Sequence, residues 1–115
     1  MPDYASYLET LTRIQGIRGA MVVAMGDGLV VAAKLMEDVR SQPLAAMAAS
    51  LAARTGELSE RSGFGAPRFL QLQCAGGVLL AAPAGPDLVL AAVAGREAAI
   101  GLARLEMRRV AERLA

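Results

Sequence analysis

The order of the hydrophobic segments constrains this chain more than any other feature. An amphipathic helical pattern comes first, and two short apolar runs follow, joined at Gly26-Asp27-Gly28. A long alanine-rich helical pattern, three more strand-like runs and a final amphipathic helix complete the 115 residues. Helix, hairpin, helix, three-stranded meander and helix fill this length with little left over. We therefore expect one domain spanning residues 1–115.

Three segments repeat apolar residues at the spacing of amphipathic helices, over residues 3–15, 41–62 and 97–114. The first is predicted to be capped by Asp3, or one turn later by a capping box that begins at Ser6. The second is predicted to be capped by Ser41. Its predicted core face carries the larger apolar side chains, which are Leu44, Met47, Leu51 and Leu58.

Five apolar runs have the length and composition of β-strands. Three of their connections are so short that the strands they join must be antiparallel. The first, fourth and fifth runs are apolar on both faces, which indicates a sheet covered on both sides. The alternating run Arg68–Cys74 is typical of an edge strand. We expect an α+β fold, α-β-β-α-β-β-β-α, with two helices on one sheet face and the alanine-rich helix on the other.

The residues that usually carry catalysis or bind metal are scarce. The chain has no histidine and one cysteine, so a zinc site is excluded and no histidine can activate a thiol. Cys74 is expected to be a small buried hydrophobe. The adjacent pair Glu37-Asp38 is interpreted as solvated loop charge. We expect no catalytic residue, no cofactor and no metal, and therefore a protein that is not an enzyme.

Charge and composition limit the partners. The net charge is +1 and aromatic residues make up 3%, which argues against nucleic acid. The longest uncharged stretch, Phe69–Pro86, is broken by glycine, proline and glutamine, so no membrane insertion is expected. A lone cysteine and a start without a signal-peptide pattern favour a cytoplasmic location. The hydrophobic fraction of 55% exceeds the usual range of about 45–50%, which favours self-association.

A line of small residues in the second helix suggests where a second copy packs. Ala45, Ala49, Ala52 and Gly56 share one line that we predict to lie off the core face, where it would let another helix approach closely. The alternative is that alanine simply favours helices. A charged group beside this line is either a solvated face or a partner-recognition rim; it consists of Arg54, Glu57, Glu60 and Arg61.

The whole chain resembles the Roadblock family of dynein light chains and bacterial GTPase regulators. The likeness rests on the element order and on short phrases, which are Ile17–Val23, Gly26–Ala32, Gly77–Leu80, Leu88–Val93 and Gly101–Leu105. The resemblance implies a homodimer in which third strands join edge to edge and second helices pack together. The interface it implies contains Phe69, Leu70, Gln71, Leu72 and Gln73 together with the small residues of the second helix.

The resemblance also implies a function. Bacterial and archaeal members of the family commonly bind a Ras-like small GTPase on the second-helix face and influence its nucleotide state, and other members are scaffolds. The hypothesis is therefore a homodimeric regulator or scaffold for such a GTPase. The alternative is a small-molecule sensor domain of profilin-like or PAS-like layout, which would need a pocket with convergent polar groups.

Overall fold

The computed structural model describes residues 3–36 and 38–115. Three residues lie outside this part of the chain: Met1, Pro2, and Glu37 of the acidic pair Glu37-Asp38. The predicted order of elements is confirmed. The elements are α1 (Tyr4–Thr12), β1 (Ile17–Ala24), β2 (Val30–Leu35), α2 (Ser41–Arg61), β3 (Leu70–Cys74), β4 (Gly77–Ala84), β5 (Leu88–Ala94) and α3 (Ile100–Leu114).

The five strands form one antiparallel sheet with the order β2-β1-β5-β4-β3. The strands with apolar residues on both faces, β1, β5 and β4, occupy its centre. The prediction that the third strand lies at an edge is confirmed. This edge strand pairs with β4 alone, from Leu70 opposite Ala81 to Cys74 opposite Gly77. Its other side is free of a strand partner within the described chain.

The helices divide as the sequence predicts, with α1 and α3 on one sheet face and α2 on the other. The larger core lies beneath α1 and α3, where Leu8, Leu11 and Met107 pack against Leu80 and Leu90. The smaller core lies beneath α2 and is assembled from Met21, Val23, Leu79 and Ala91 of the sheet with Ala45, Ala48 and Ala49 of the helix. No polar or charged residue in the described part of the chain is buried.

Local hydrogen bonds explain the start of α1 and the β1–β2 turn. The Asp3 carboxylate accepts a hydrogen bond from the Ser6 backbone N–H at 3.1 Å, so Asp3 is the cap of α1. Asp27 accepts one from the Leu29 N–H at 3.1 Å and stabilises the β1–β2 turn. The predicted cap at Ser41 is wrong, because Arg40 holds the N-cap position of α2 and no side chain caps it.

Candidate partner-binding surface

The inner face of α2 is made of its small side chains. Ala45, Ala49 and Ala52 are at most 5% exposed and pack against the sheet of their own chain. The prediction that this line lies off the core face is therefore wrong for these three alanines, and Gly56, the last residue of the line, is partly buried. Bulky Met21 and Leu79 rise from the sheet beneath α2 and fill the space between the layers. The helix can approach this surface closely only where its own side chains are small.

The prediction that the larger apolar residues of α2 form its core face is confirmed for Leu44, which packs against the core beneath α2, and is wrong for Met47 and Leu58. Met47 is 36% exposed and Leu58 is 63% exposed, while Leu44 and Leu51 are partly buried. Leu44 and Met47 line a groove together with Cys74, at the end of β3. Leu51 and Leu58 follow on the same side at helical spacing. We call these four residues the α2 flank; Leu44 and Met47 place its first half beside the end of β3, one of the two edge strands.

The edge strand β3 presents different side chains on its two faces. Leu70 and Leu72 are partly buried and pack beside α2 on its sheet face. Gln71 and Gln73 are exposed on the opposite face, since successive side chains alternate. Phe69, just before the strand, packs against the core beneath α1 and α3. The α2 flank, Leu70 and Leu72 therefore form a continuous apolar strip beside unpaired strand backbone.

A groove of about 360 Å³ lies between the start of α2 and the β3–β4 turn. Its floor includes Leu79 and Val93, and an ion pair between Arg18 and Asp38 stands among its lining residues. Cys74 also lines it and is exposed, so the prediction of a buried cysteine is wrong. The last residue of a short edge strand has no second neighbour to cover it.

One exposed aromatic residue, Phe64, is not among the predicted site residues. Phe64 follows α2 and is 90% exposed. It stands between Gly63 and Gly65, both with positive φ, in the segment that leads to β3. The signal that could have found it is a lone aromatic residue between two glycines in a connection, where no regular element can bury it.

The predicted charged group lies on the solvent side of α2. Arg54, Glu57, Glu60 and Arg61 are all exposed. The Glu57 carboxylate lies 3.7 Å from the Arg61 guanidinium, and such an i,i+4 ion pair supports the helix. The group is balanced in charge. It borders the α2 flank, and the two together make a surface with an apolar strip and a polar rim.

The side chains of this surface are suited to non-covalent contacts with another protein. Within residues 3–36 and 38–115, no three histidine, cysteine, aspartate or glutamate side chains come together as metal ligands would. In the same part of the chain, no helix has the length and apolar character needed to cross a membrane. Apolar side chains, a free strand edge and paired surface charges can bind a protein partner.

The fold and this surface define a class of protein, the small α+β modules with a five-stranded sheet between helices. The Roadblock/LC7 domain model matches residues 5–94, and the chain belongs to this family. The resemblance inferred from the sequence is thus confirmed. No curated protein sequence matches the chain significantly.

Solved structures of Roadblock-type proteins superpose on nearly the whole chain. A Roadblock/LC7 domain from Streptomyces avermitilis has a TM-score of 0.83 at 23% identity, covering 95% of this chain and 92% of that one. An MglB with a tetrameric arrangement has a TM-score of 0.82 at 29% identity, covering 96% and 84%. The gliding protein MglB from Thermus thermophilus has a TM-score of 0.82 at 27% identity, with the same coverage.

Proposed function

We propose that this protein is a non-enzymatic homodimeric regulator or scaffold that binds a Ras-like small GTPase. Membership of the Roadblock/LC7 family supports the class of function. The observation that carries the proposal is the unpaired β3 edge beside an exposed apolar flank. An exposed strand edge invites pairing with another strand, and an exposed apolar strip favours burial against a partner. A second copy of the chain supplies both a strand to pair with β3 and an apolar surface to cover the strip.

In the proposed dimer, β3 of one protomer adds to β3 of its partner. The segment Phe69–Gln73 and Gly56 remain in the proposed interface, and the α2 flank supplies the helix contact. Ala45, Ala49 and Ala52 do not supply it with their side chains, because these are buried against their own sheet. Met47, Leu51 and Leu58 take that role, since burying each such side chain contributes about 1.5–3 kcal/mol when fully removed from water.

The proposed GTPase site is the solvent side of α2, formed by Arg54, Glu57, Glu60 and Arg61. Exposed charges of both signs set orientation and association rate more than affinity. An effect on the partner's nucleotide hydrolysis or exchange is measured separately, with the purified GTPase and its labelled nucleotide. A cytoplasmic location is part of the proposal, because Ras-like GTPases act there.

The dimer is tested by molar mass in solution. We expect a dimeric mass at micromolar concentration and a shift to monomer for Leu58→Glu, because a charge would enter an apolar contact. Leu29→Glu is the matched control, since Leu29 is 57% exposed but lies in the β1–β2 hairpin, away from β3. A monomeric wild-type protein would overturn the dimer. Equal masses for both variants and the wild type would remove the α2 flank from the interface.

The GTPase is tested by immobilising the protein and passing native lysate over it with a GTP analogue or with GDP. Retention of a Ras-like GTPase in one nucleotide state, identified by mass spectrometry, supports the proposal. We expect Arg54→Glu to reduce this retention and Arg13→Glu, on the opposite sheet face, to leave it unchanged. A stable dimer that retains no Ras-like GTPase in either state would refute this part of the proposal.

A sensor of small molecules remains the second candidate because of the groove beside the start of α2. Its volume of about 360 Å³ falls within the range of small-molecule sites. Its lining is mainly apolar, and the Arg18–Asp38 pair already satisfies two of its charged groups. A rise in melting temperature with a defined metabolite, lost in Met47→Trp, would favour the sensor.

A further inference from the structure

A basic surface on the outer side of α3 has no role in the function proposed above. Arg104 and Arg108 form one row at i,i+4 spacing, and Arg109 and Arg113 form another. Leu105, half exposed, lies between the two rows, and Leu102 lies at the start of the second. We call these six residues the α3 face. They follow the residues matched by the family model, which ends at 94.

Most of the charge on the α3 face is uncompensated. Arg109 contacts Glu106 at 3.2 Å. Arg104, Arg108 and Arg113 make no ion pair within residues 3–36 and 38–115. Arg108 also lines an open groove with Arg68, which precedes β3, and Glu112 is the single acidic side chain there. Four arginines therefore face solvent around α3 against Glu106 and Glu112.

The ordinary reasons for arginine in a helix do not account for this arrangement. A basic residue in the last turn complements the helix dipole, which explains Arg113 alone. Charge rows that only support a helix alternate in sign, whereas 109 and 113 repeat the same sign, as do 104 and 108 before the row ends at Glu112. Gly101 stands one turn before Leu105 with open space where a Cβ would be. At this turn another helix can approach the backbone of α3 closely.

We propose that the α3 face binds an acidic amphipathic helix of a partner protein. Leucines at the centre would contact the apolar stripe of that helix, and the flanking arginines would pair with its carboxylates, which guanidinium groups can bind through two hydrogen bonds. An anionic membrane is less well matched, because only two half-exposed leucines would insert. A nucleic acid would find no aromatic side chain on this face.

The test uses a fluorescein-labelled synthetic peptide of about 20 residues, an acidic amphipathic helix of leucine and glutamate, and its twin with glutamine for glutamate. Fluorescence anisotropy is measured with the full chain at low and at physiological salt. We expect the acidic peptide to bind, the neutral twin to bind far more weakly, and Arg104→Gln/Arg108→Gln to weaken binding about tenfold. Neither arginine has an ion-pair partner in the described chain, so the fold should be preserved, and a melting curve checks this.

Arg54→Gln/Arg61→Gln is the matched control, with the same loss of charge on the opposite sheet face. It is expected to bind the acidic peptide like the wild type. No binding by the wild type, or equal binding by both double variants, overturns the proposal. Vesicles containing phosphatidylglycerol are tested by cosedimentation. Binding to them that exceeds peptide binding and is lost in Arg104→Gln/Arg108→Gln would assign the face to a membrane instead.

Discussion

Ala49 shows how one small side chain sets the distance between two layers. It lies 5% exposed within the core beneath α2. Ala49→Glu is expected to destabilise the protomer by about 3 kcal/mol or more, because a carboxylate would be buried without a partner. Ala53→Glu, exposed on the same helix, is the control and should change stability little. Chemical denaturation measures both. A folded, merely dissociated Ala49→Glu would mean that the alanine faces another protomer.

Gly16 combines a conformational and a steric requirement. Its φ is +87°, and a Cβ built on it would lie 2.4 Å from the Ala98 Cα. An alanine at positive φ lowers the free energy of unfolding by roughly 1 kcal/mol. Gly16→Ala is expected to lower it by more, because the backbone at Ala98 must also move. Gly63, with φ +80° and open space, isolates the conformational part. The free energy of unfolding of Gly16→Ala should fall clearly below that of Gly63→Ala. Equal values would show that the backbone at Ala98 moves aside without a loss of stability.

At the level of elements, the two sheet edges are not equivalent. Both β2 and β3 lack a partner on one side within the described chain. Only β3 runs beside the α2 flank. Hydrogen exchange measured over a range of protein concentrations is expected to slow in β3 as dimers form and to stay constant in β2, since paired amides exchange through opening. Concentration-dependent protection of β2 instead would place the dimer contact at the other edge.

The elements themselves could be predicted from sequence more fully than their orientation. Short turns and doubly apolar strands determine the antiparallel sheet and its layers, and those predictions are confirmed. The orientation of α2 could not be derived from α2 alone, because the helix is apolar over more than one side. Met21 and Leu79, on other strands, decide that its alanines face inward. The position of Cys74 at the end of an apolar strand predicts burial, but an edge strand has too little cover to bury its last residue.

At the level of the whole molecule, the sheet separates two surfaces of different character. The α2 surface is apolar with balanced charges, and the α3 face is basic. The shortest extent of the molecule is 25 Å. At physiological salt, charges are screened over about 8 Å, so arginines on α3 exert little force on a partner bound at α2. The fold thus suits a module that holds two different proteins on opposite sides.

This separation predicts that the two proposed partners bind independently. With the acidic peptide at saturation, the Kd for the Ras-like GTPase is expected to change by less than about twofold, since coupling requires a differential contact or a shift between two states. Calorimetric titration of the GTPase with and without peptide measures this. The neutral peptide controls for nonspecific effects. Loss of GTPase binding in the presence of acidic peptide would mean that both use one surface. A large change in affinity without competition would mean that the sheet transmits binding from α3 to α2.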